Sequence, residues 1–347
     1  MIQRIKSWIN IKGTSIKSFF ERDSNIQMEN KHMPSQMSEV SESTIKNNPS
    51  PDNLNREYFE LCHIEAITSP FKTNTIFDEK HHDDDLSPID LFIKNTAQLH
   101  ILKISENDHV LSNLLLLGYV SAAESYLRSL IRRLVSCDEY IQSIVAEKNV
   151  SYAAAFHHKK ELLPEALLED FSFANPYNIF ETLKDLIGMK GARPAAMMSP
   201  SNEFRKICEL RHCCVHRFGK LGSKNAVRLG LDDHHKFLEK PIKLSSQHME
   251  EIAFIVDNFV KSVNNVVYKY VMDRTAKNKN GEANGEKIYK SDWSWDFESD
   301  AERFQKYYSI FATTLDTIPS ISLDDAYRLF KDENKPSLPV RRKDKTP

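Results

Sequence analysis

Three residues in one short stretch, Arg211, His212 and His216, have side chains suited to phosphate chemistry. A histidine titrates near neutral pH and can therefore accept or donate a proton, and a guanidinium holds a phosphate through several N–H donors. Because Arg211 and His216 are five residues apart, an ideal helix places them about 140° apart around its axis. One helix therefore does not aim both side chains at one atom, and two facing helices are needed.

The same stretch breaks an apolar pattern. Phe204, Ile207, Cys214 and Phe218 follow helical spacing, and Arg211 occupies the position between Ile207 and Cys214. A guanidinium on such a stripe destabilises the fold unless it is paired with a charge or faces a wet cleft. The pattern therefore predicts a specific environment for this arginine.

Glu124 is the predicted partner of Arg211. From an upstream helix its carboxylate could reach the guanidinium across the bundle, fix its orientation and offset its burial. Glu124 also precedes Arg128 by four residues, a spacing that favours an ion pair along one helix. We therefore group Glu124 with Arg211, His212 and His216 as candidate catalytic residues.

Two other interpretations of these residues stay open. In the first, Arg211 only forms a buried ion pair with Glu124, and His216 only stabilises the helix end, where a cation is favoured. In the second, Cys208, His212 and His216, which step by four along one face, hold a Zn²⁺ ion together with a ligand from elsewhere. A cysteine in a helix is commonly a small buried apolar residue, so we predict no metal and no other cofactor.

Residues 211–216 read Arg-His-Cys-Cys-Val-His, which resembles the Arg-polar-three-any-His motif of HEPN domains, a superfamily of helical bundles with many metal-independent ribonucleases. Residues 118–131 read Gly-Tyr-Val-Ser-Ala-Ala-Glu-Ser-Tyr-Leu-Arg-Ser-Leu-Ile, similar to the opening helix of bacterial HEPN proteins. A long helix is predicted after the motif, as the family requires. The resemblance covers residues 108–272.

The resemblance implies an endoribonuclease whose site forms where the motif helices of two protomers face each other. Arg211 and His216 match the motif positions, and His212 matches the polar position. The implied partners are RNA, a second copy of the chain, and an inhibitory or sensor protein in a toxin, stress or antiviral defence system. The alternative function is a non-catalytic helical module for dimerisation or nucleotide binding.

The elements that position these residues are predicted from apolar periodicity and from capping residues. Asn175, Pro176 and Gly188 punctuate one helix clearly, with a cap, a first-turn proline and a terminating glycine. The motif helix is predicted to begin near Ser201 or Asn202 and to end before Gly219. Other helices are predicted to begin at Pro88 and to span residues 108–136 and 246–272, and together they predict an all-α, HEPN-like bundle.

Composition divides the chain into five segments. Polar stretches without apolar periodicity predict linkers, because they cannot offset the entropy of ordering. The predicted segments are a short amphipathic basic helix (1–22), a mostly disordered linker (23–86), the helical bundle (87–275), a second linker (276–291), and an aromatic-rich helical extension with a basic tail (292–347).

Charge and cysteine content exclude several classes of protein. A formal net charge of -2 gives no global basic field, so a positive groove for RNA must be local. The apolar runs are shorter than a bilayer span of about 20 residues, so we predict a soluble protein. The five cysteines are odd in number and have no CxxC spacing, so we predict no disulfide framework and a cytoplasmic location. The residues predicted to supply the positive groove are Lys159, Lys160, Arg217, Lys220, Lys224 and Arg228.

Overall fold

The computed structural model describes residues 70–276, apart from positions 83, 103, 106 and 107, and residues 293–335. Three predicted segments lie outside the described residues: the N-terminal helix (1–22), the second linker (276–291) except for its first residue, and the basic tail after residue 335. Most of the first predicted linker (23–86) lies outside them as well.

The chain divides into two compact units, Glu21–Asp84 and a larger unit formed by residues 1–20 and 85–347. The described part of the smaller unit begins at residue 70 and contains one turn of 3₁₀ helix at Thr73–Thr75, which buries no residue. This part of the chain therefore contributes no core of its own.

The larger unit is all-α, as the sequence predicts, and no β-strand occurs among its described residues. A single isolated bridge joins Lys220 to Pro241. The α-helices are α1 (Pro88–His100), α2 (His109–Cys137), α3 (Glu139–Val145), α4 (Tyr152–His157), α5 (Leu163–Ala166), α6 (Pro176–Ile187), α7 (Ala195–Arg217), α8 (Ser223–Leu229), α9 (Leu231–His234), α10 (Ser246–Ala276), α11 (Phe297–Phe311) and α12 (Leu323–Asn334).

Helix α2 lies at the centre of the bundle, in contact with α1, α7, α10 and α11. The Asp108 carboxylate begins it by accepting a hydrogen bond at 3.0 Å from the backbone N–H three residues later. Leu116, Leu127 and Leu134 lie on its buried stripe and are fully enclosed. Packing along α2 therefore fixes the position of Glu124, which this helix carries.

Helix α2 is also the one described helix that is long and apolar enough to cross a membrane, judged by length and composition alone. Half of its most apolar window is buried inside the protein (50%). The core helix of a soluble protein meets the same criterion, so this finding is weak evidence for a membrane location.

Helix α6 begins and ends where its capping residues predict. Asn175 Oδ1 accepts a hydrogen bond from the Tyr177 N–H at 2.9 Å, and Pro176 occupies the first turn. Gly188 ends the helix with a φ of 76°, and a Cβ atom there would lie 2.4 Å from Ile144 Cδ1. Both the backbone and the packing therefore require glycine at this position, and the prediction is confirmed.

Helix α7 begins earlier than predicted. It starts at Ala195 and continues through Pro200, whereas the predicted start was near Ser201 or Asn202. Proline has no N–H to donate to the carbonyl four residues earlier, which belongs to Ala196. The Ser262 hydroxyl, on α10, donates to that carbonyl at 2.9 Å instead. A neighbouring helix thus supplies the missing donor, and the predicted boundary is wrong.

Residues 293–335 pack into the main hydrophobic core rather than forming a separate one. Trp293, Phe304, Tyr307 and Phe330 are buried in the same cluster as the side chains of α2. Helix α11 contacts α1, α2 and α10, and α12 contacts α10. The aromatic residues of this segment therefore complete the bundle.

Two buried carboxylates hold the same segment in place. Asp90, on α1, accepts hydrogen bonds from the loop after α11, including the Thr314 N–H and hydroxyl, each at 2.9 Å. Asp138, between α2 and α3, accepts from the Tyr307 hydroxyl at 2.9 Å and forms an ion pair with Arg274. These charges are buried only because several donors surround each of them.

Candidate active site

The motif lies in the last two turns of α7, which ends at Arg217. The Gly219 N–H donates to the Cys213 carbonyl at 3.1 Å, and Gly219 has a φ of 85°, so glycine ends the helix as predicted. Phe218 has a φ of 51° and is 81% exposed. The left-handed backbone turns this side chain away from the helix stripe, and its predicted place in the core is wrong.

Arg211 is half-buried and lies at the edge of the core stripe, beside the buried Ile207 and Cys208. No described residue forms an ion pair or a hydrogen bond with its guanidinium, so the predicted pairing with Glu124 is wrong for this chain as it stands alone. Partial exposure removes the need for a partner, because water solvates the part of the guanidinium that the core does not cover. Arg211 therefore keeps its donors available.

Glu124 nevertheless lies in the electrostatic surroundings of the motif. Burial raises the pKa of the Cys208 thiol most, the charge of Glu124 raises it further, and the charge of Arg211 lowers it. Glu124 on α2 and Arg211 on α7 therefore both lie close enough to the Cys208 thiol to shift its pKa. The raised pKa keeps Cys208 a neutral, apolar residue at physiological pH.

The predicted ion pair between Glu124 and Arg128 is also wrong. Arg128 turns toward the chain after α5, where it donates to the Leu168 and Phe171 carbonyls at 2.9 and 3.2 Å. Its guanidinium also lies 5.3 Å from the centre of the Phe173 ring. The Glu165 carboxylate, on α5, lies 3.6 Å from the same guanidinium as an ion-pair partner. Two carbonyls, a ring and this carboxylate therefore contact Arg128 in place of Glu124.

His212 and His216 form an exposed pair one helical turn apart. Their ring centroids are 4.3 Å from each other, and the rings are tilted by 53°. His216 makes no hydrogen bond with a described residue, and it lies in the last turn of α7, where a cation is favoured. Desolvation lowers the pKa of His212 most, and the adjacent charge of His216 lowers it further. At neutral pH His212 is therefore mainly a neutral imidazole that can accept a proton.

Removing His216 is expected to raise the pKa of His212 toward its ordinary value, because one source of positive charge next to the ring disappears. NMR titration of the imidazole resonances in a His216→Ala variant measures this change. A His248→Ala variant, altered in the first turn of α10, is the matched control and should leave the His212 titration unchanged. An unchanged or lower pKa in His216→Ala would show that the two rings are not neighbours.

Glu209 is a residue of this region whose burial the sequence analysis missed. A carboxylate on a helix is ordinarily solvated, yet Glu209 is only 7% exposed. Asn225 Nδ2 donates to its carboxylate at 2.8 Å, and Arg228 lies 3.3 Å away as an ion-pair partner. The available signal was Cys213, four residues later on the same face, because a small apolar residue at this spacing indicates a covered side of the helix.

The predicted positive groove is only partly assembled by the fold. Lys224 and Arg228 lie on α8 next to the motif helix, but Arg228 forms an ion pair with Glu209, and Arg217 forms one with Glu239. Arg205, which was not predicted, donates to the Arg228 carbonyl at 2.7 Å. Lys159 and Lys160 lie elsewhere in the sequence, directly after α4. The positive charge next to the motif therefore comes from α7 and α8.

The geometry of the motif favours proton transfer over metal binding. Cys208 is buried while His212 and His216 are exposed, so the three proposed zinc ligands do not converge. Within the part of the chain that the structure describes, no three His, Cys, Asp or Glu side chains are placed to hold one metal ion. Arg211 and the histidines offer donors for an anion and a base for a proton.

The motif lies on an open surface. A cleft of about 560 Å³ lies between α10, α11 and α12, where Tyr268, Met272 and Leu329 line it, and it contains none of the motif residues. Val215 and Phe218, close to His216 in the chain, and Val227, on α8, expose apolar surface to water. One protomer alone therefore does not enclose a substrate at this site.

No protein family, characterised protein or solved structure matches this chain.

Proposed function

We propose that this protein is a metal-independent endoribonuclease of the HEPN type, acting in the cytoplasm as a homodimer. The observation that carries the proposal is the combination of an arginine without a carboxylate partner and an exposed histidine pair on one helix. Arg211 binds the scissile phosphate, and the imidazoles of His212 and His216 move the protons. The motif resemblance supports RNA as the substrate.

The reaction needs a base for the 2′-hydroxyl and an acid for the leaving oxygen. The lowered pKa of His212 suits the base, because a neutral imidazole is ready to accept a proton at pH 7. His216 then supplies the proton to the leaving group, and the Arg211 guanidinium stabilises the charge that builds on the phosphate. The pentavalent phosphate collapses to a 2′,3′-cyclic phosphate without hydrolysis. Glu124 forms no ion pair or hydrogen bond with Arg211, so this scheme gives it no proton to move.

A dimer completes the site in this proposal. Arg211 is half-buried while His216 is exposed on another side of α7, so one helix presents them in different directions. Val215 and Phe218, which flank His216 in the chain, and Val227, on the neighbouring helix α8, expose apolar side chains that suit a two-fold contact between motif helices. Each composite site then takes its arginine from one protomer and its histidines from the other.

The same apolar surface favours a second candidate function, a helical dimerisation module that carries the motif without catalysis. An anion such as a nucleotide phosphate would still bind to Arg211 in that module. For either function, the motif resemblance supports a regulated defence, toxin or stress system in which a partner protein restrains the chain. Such a partner would cover the motif surface and release it when triggered.

RNA cleavage by the purified protein in EDTA tests the proposed chemistry. We expect full activity in the chelator, and products that end in a 2′,3′-cyclic phosphate, because the attacking group is the 2′-hydroxyl of the substrate. The His216→Ala variant is the matched control that removes the motif without changing the core, since His216 is exposed. Activity that disappears in EDTA and returns with zinc or magnesium would contradict the acid-base scheme. Inactivity of the wild-type dimer would favour the non-catalytic module.

A further inference from the structure

Helix α4 holds two aromatic rings out in the solvent. Tyr152 is 82% exposed and Phe156 is 69% exposed, and their ring centroids lie 6.0 Å apart with planes inclined by 21°. The Ser151 hydroxyl caps the helix by accepting from the Ala154 N–H at 3.1 Å, and the buried side chain of Ala154 fixes its inner face. The aromatic pair, Tyr152 and Phe156, is therefore presented outward by an ordered helix and not by a loose loop.

Two lysines follow the aromatic pair within four residues of the chain. The edge of the His157 ring meets Phe156 with centroids 4.9 Å apart, and Lys159 and Lys160 follow in the chain. Both lysines are exposed, and neither forms an ion pair within the described residues. The sequence has no Asp or Glu between positions 148 and 160, and the next acidic residue is Glu161. Two outward rings thus adjoin two solvated cations.

We propose that the aromatic pair and the two lysines form a binding platform for single-stranded RNA. Unpaired bases stack on Tyr152 and Phe156, and the backbone phosphates approach Lys159 and Lys160. The platform rests on the proposed function in one respect, that RNA is the ligand. It deepens that function by assigning the substrate class, because the base faces of a duplex are already stacked on each other and are closed to a protein ring.

The adjacent cations favour this ligand over an apolar protein segment. Lysine is depleted at the core of protein–protein interfaces, whereas a nucleic acid offers phosphates to the lysines as well as flat base faces to the rings. The platform also lies on another helix than the motif of α7. The platform therefore contributes to RNA binding and not to the chemical step. Its loss should raise the KM for single-stranded RNA and leave kcat unchanged.

Binding of a labelled single-stranded RNA 20-mer to the full-length chain tests the platform. The His216→Ala background prevents cleavage during the measurement. In the double variant Tyr152→Leu with Phe156→Leu, which keeps apolar surface but loses the rings, we expect affinity to fall about tenfold or more. The conservative Tyr152→Phe variant keeps the ring and should bind within about twofold of the parent.

The contribution of Lys159 and Lys160 is measured by the salt dependence of RNA binding. Lys159→Gln combined with Lys160→Gln should reduce the slope of log affinity against log salt by about 0.7 for each phosphate that the lysines no longer neutralise. Lys306→Gln combined with Lys331→Gln removes the same charge from α11 and α12 and is the matched control. Its slope should equal that of the parent.

Equal RNA binding by the leucine variant and its parent would overturn the platform, and so would the absence of any RNA binding. Tighter binding of duplex than of single strands, unaffected by the leucine substitutions, would overturn it too. These outcomes are separate from those for the proposed function. If the wild-type protein binds RNA through the two rings but does not cleave it, the result contradicts the proposed ribonuclease function and supports the platform. If it cleaves RNA and the leucine substitutions leave binding unchanged, the result supports the ribonuclease function and contradicts the platform.

Discussion

Purified heterodimers of one Arg211→Ala protomer and one His216→Ala protomer are expected to cleave RNA at about half the wild-type rate, because the proposed dimer would keep one of its two composite sites intact. Each homodimeric variant should lose about 10²- to 10⁴-fold in rate, since every site then lacks either the phosphate ligand or a proton-transfer group. The heterodimer should therefore cleave RNA much faster than either homodimeric variant. Two affinity tags, one on each protomer, allow the heterodimer to be purified and assayed.

The control heterodimer pairs Arg211→Ala with the double variant Arg211→Ala, His216→Ala. Neither of its sites keeps an arginine, so it should be as inactive as the parent variants. A heterodimer of the two single variants that stays equally inactive would contradict a site shared between protomers. A fully active monomer in sedimentation at micromolar concentration would contradict it as well.

Replacing Asp138 by alanine is expected to lower the free energy of unfolding by about 3–5 kcal/mol, because it leaves a buried cation without its counter-charge. The Asp138 carboxylate is 1% exposed, accepts from the Ile141 N–H at 2.9 Å as the cap of α3, and forms an ion pair with Arg274. Burial raises the pKa of Tyr307, and Asp138 raises it further, so this phenol stays a hydrogen-bond donor to the carboxylate. Denaturant unfolding of the variant and the parent measures the difference.

Asp108 provides the matched control, because it caps α2 with a 3.0 Å hydrogen bond and forms no ion pair with a described residue. Asp108→Ala removes only a cap and should cost about 1 kcal/mol. Asp138→Asn keeps a capping oxygen but not the charge, and its cost should lie between the other two. Equal costs for Asp108→Ala and Asp138→Ala would show that the link to Arg274 and Tyr307 adds no stability.

The helix boundaries that the sequence predicts well depend on neighbours in the chain. Asn175 and Gly188 mark α6 because a cap and a left-handed turn act within one helical turn. The start of α7 depends instead on Ser262, which is 66 residues away from the Ala196 carbonyl it satisfies. Periodicity and proline rules contain no information about such a donor. The prediction therefore failed where a distant residue corrected a local defect.

In the candidate site, too, the sequence predicted the features that depend on local spacing and missed those that depend on distant residues. Helical spacing placed His212 and His216 on one face of the motif helix, and the structure has their rings in contact distance there. It also predicted Glu124 as the partner of Arg211 and gave no indication that Glu209 is buried. The pairing was wrong and the burial was missed, because the exposure of each side chain depends on what α8 and α2 cover, which spacing within α7 does not specify.

The buried contacts of Asp90 have a consequence for synthesis of the chain. Its carboxylate is satisfied by groups 223 to 225 residues later, so those donors leave the ribosome long after α1 and α2. Until they arrive, the Asp90 carboxylate lacks its native hydrogen bonds, and the apolar face that α11 later covers stays open. Long-range closure of this kind slows folding and leaves partly folded chains exposed to aggregation. The nascent bundle therefore stays incomplete until α11 and the loop after it have been made.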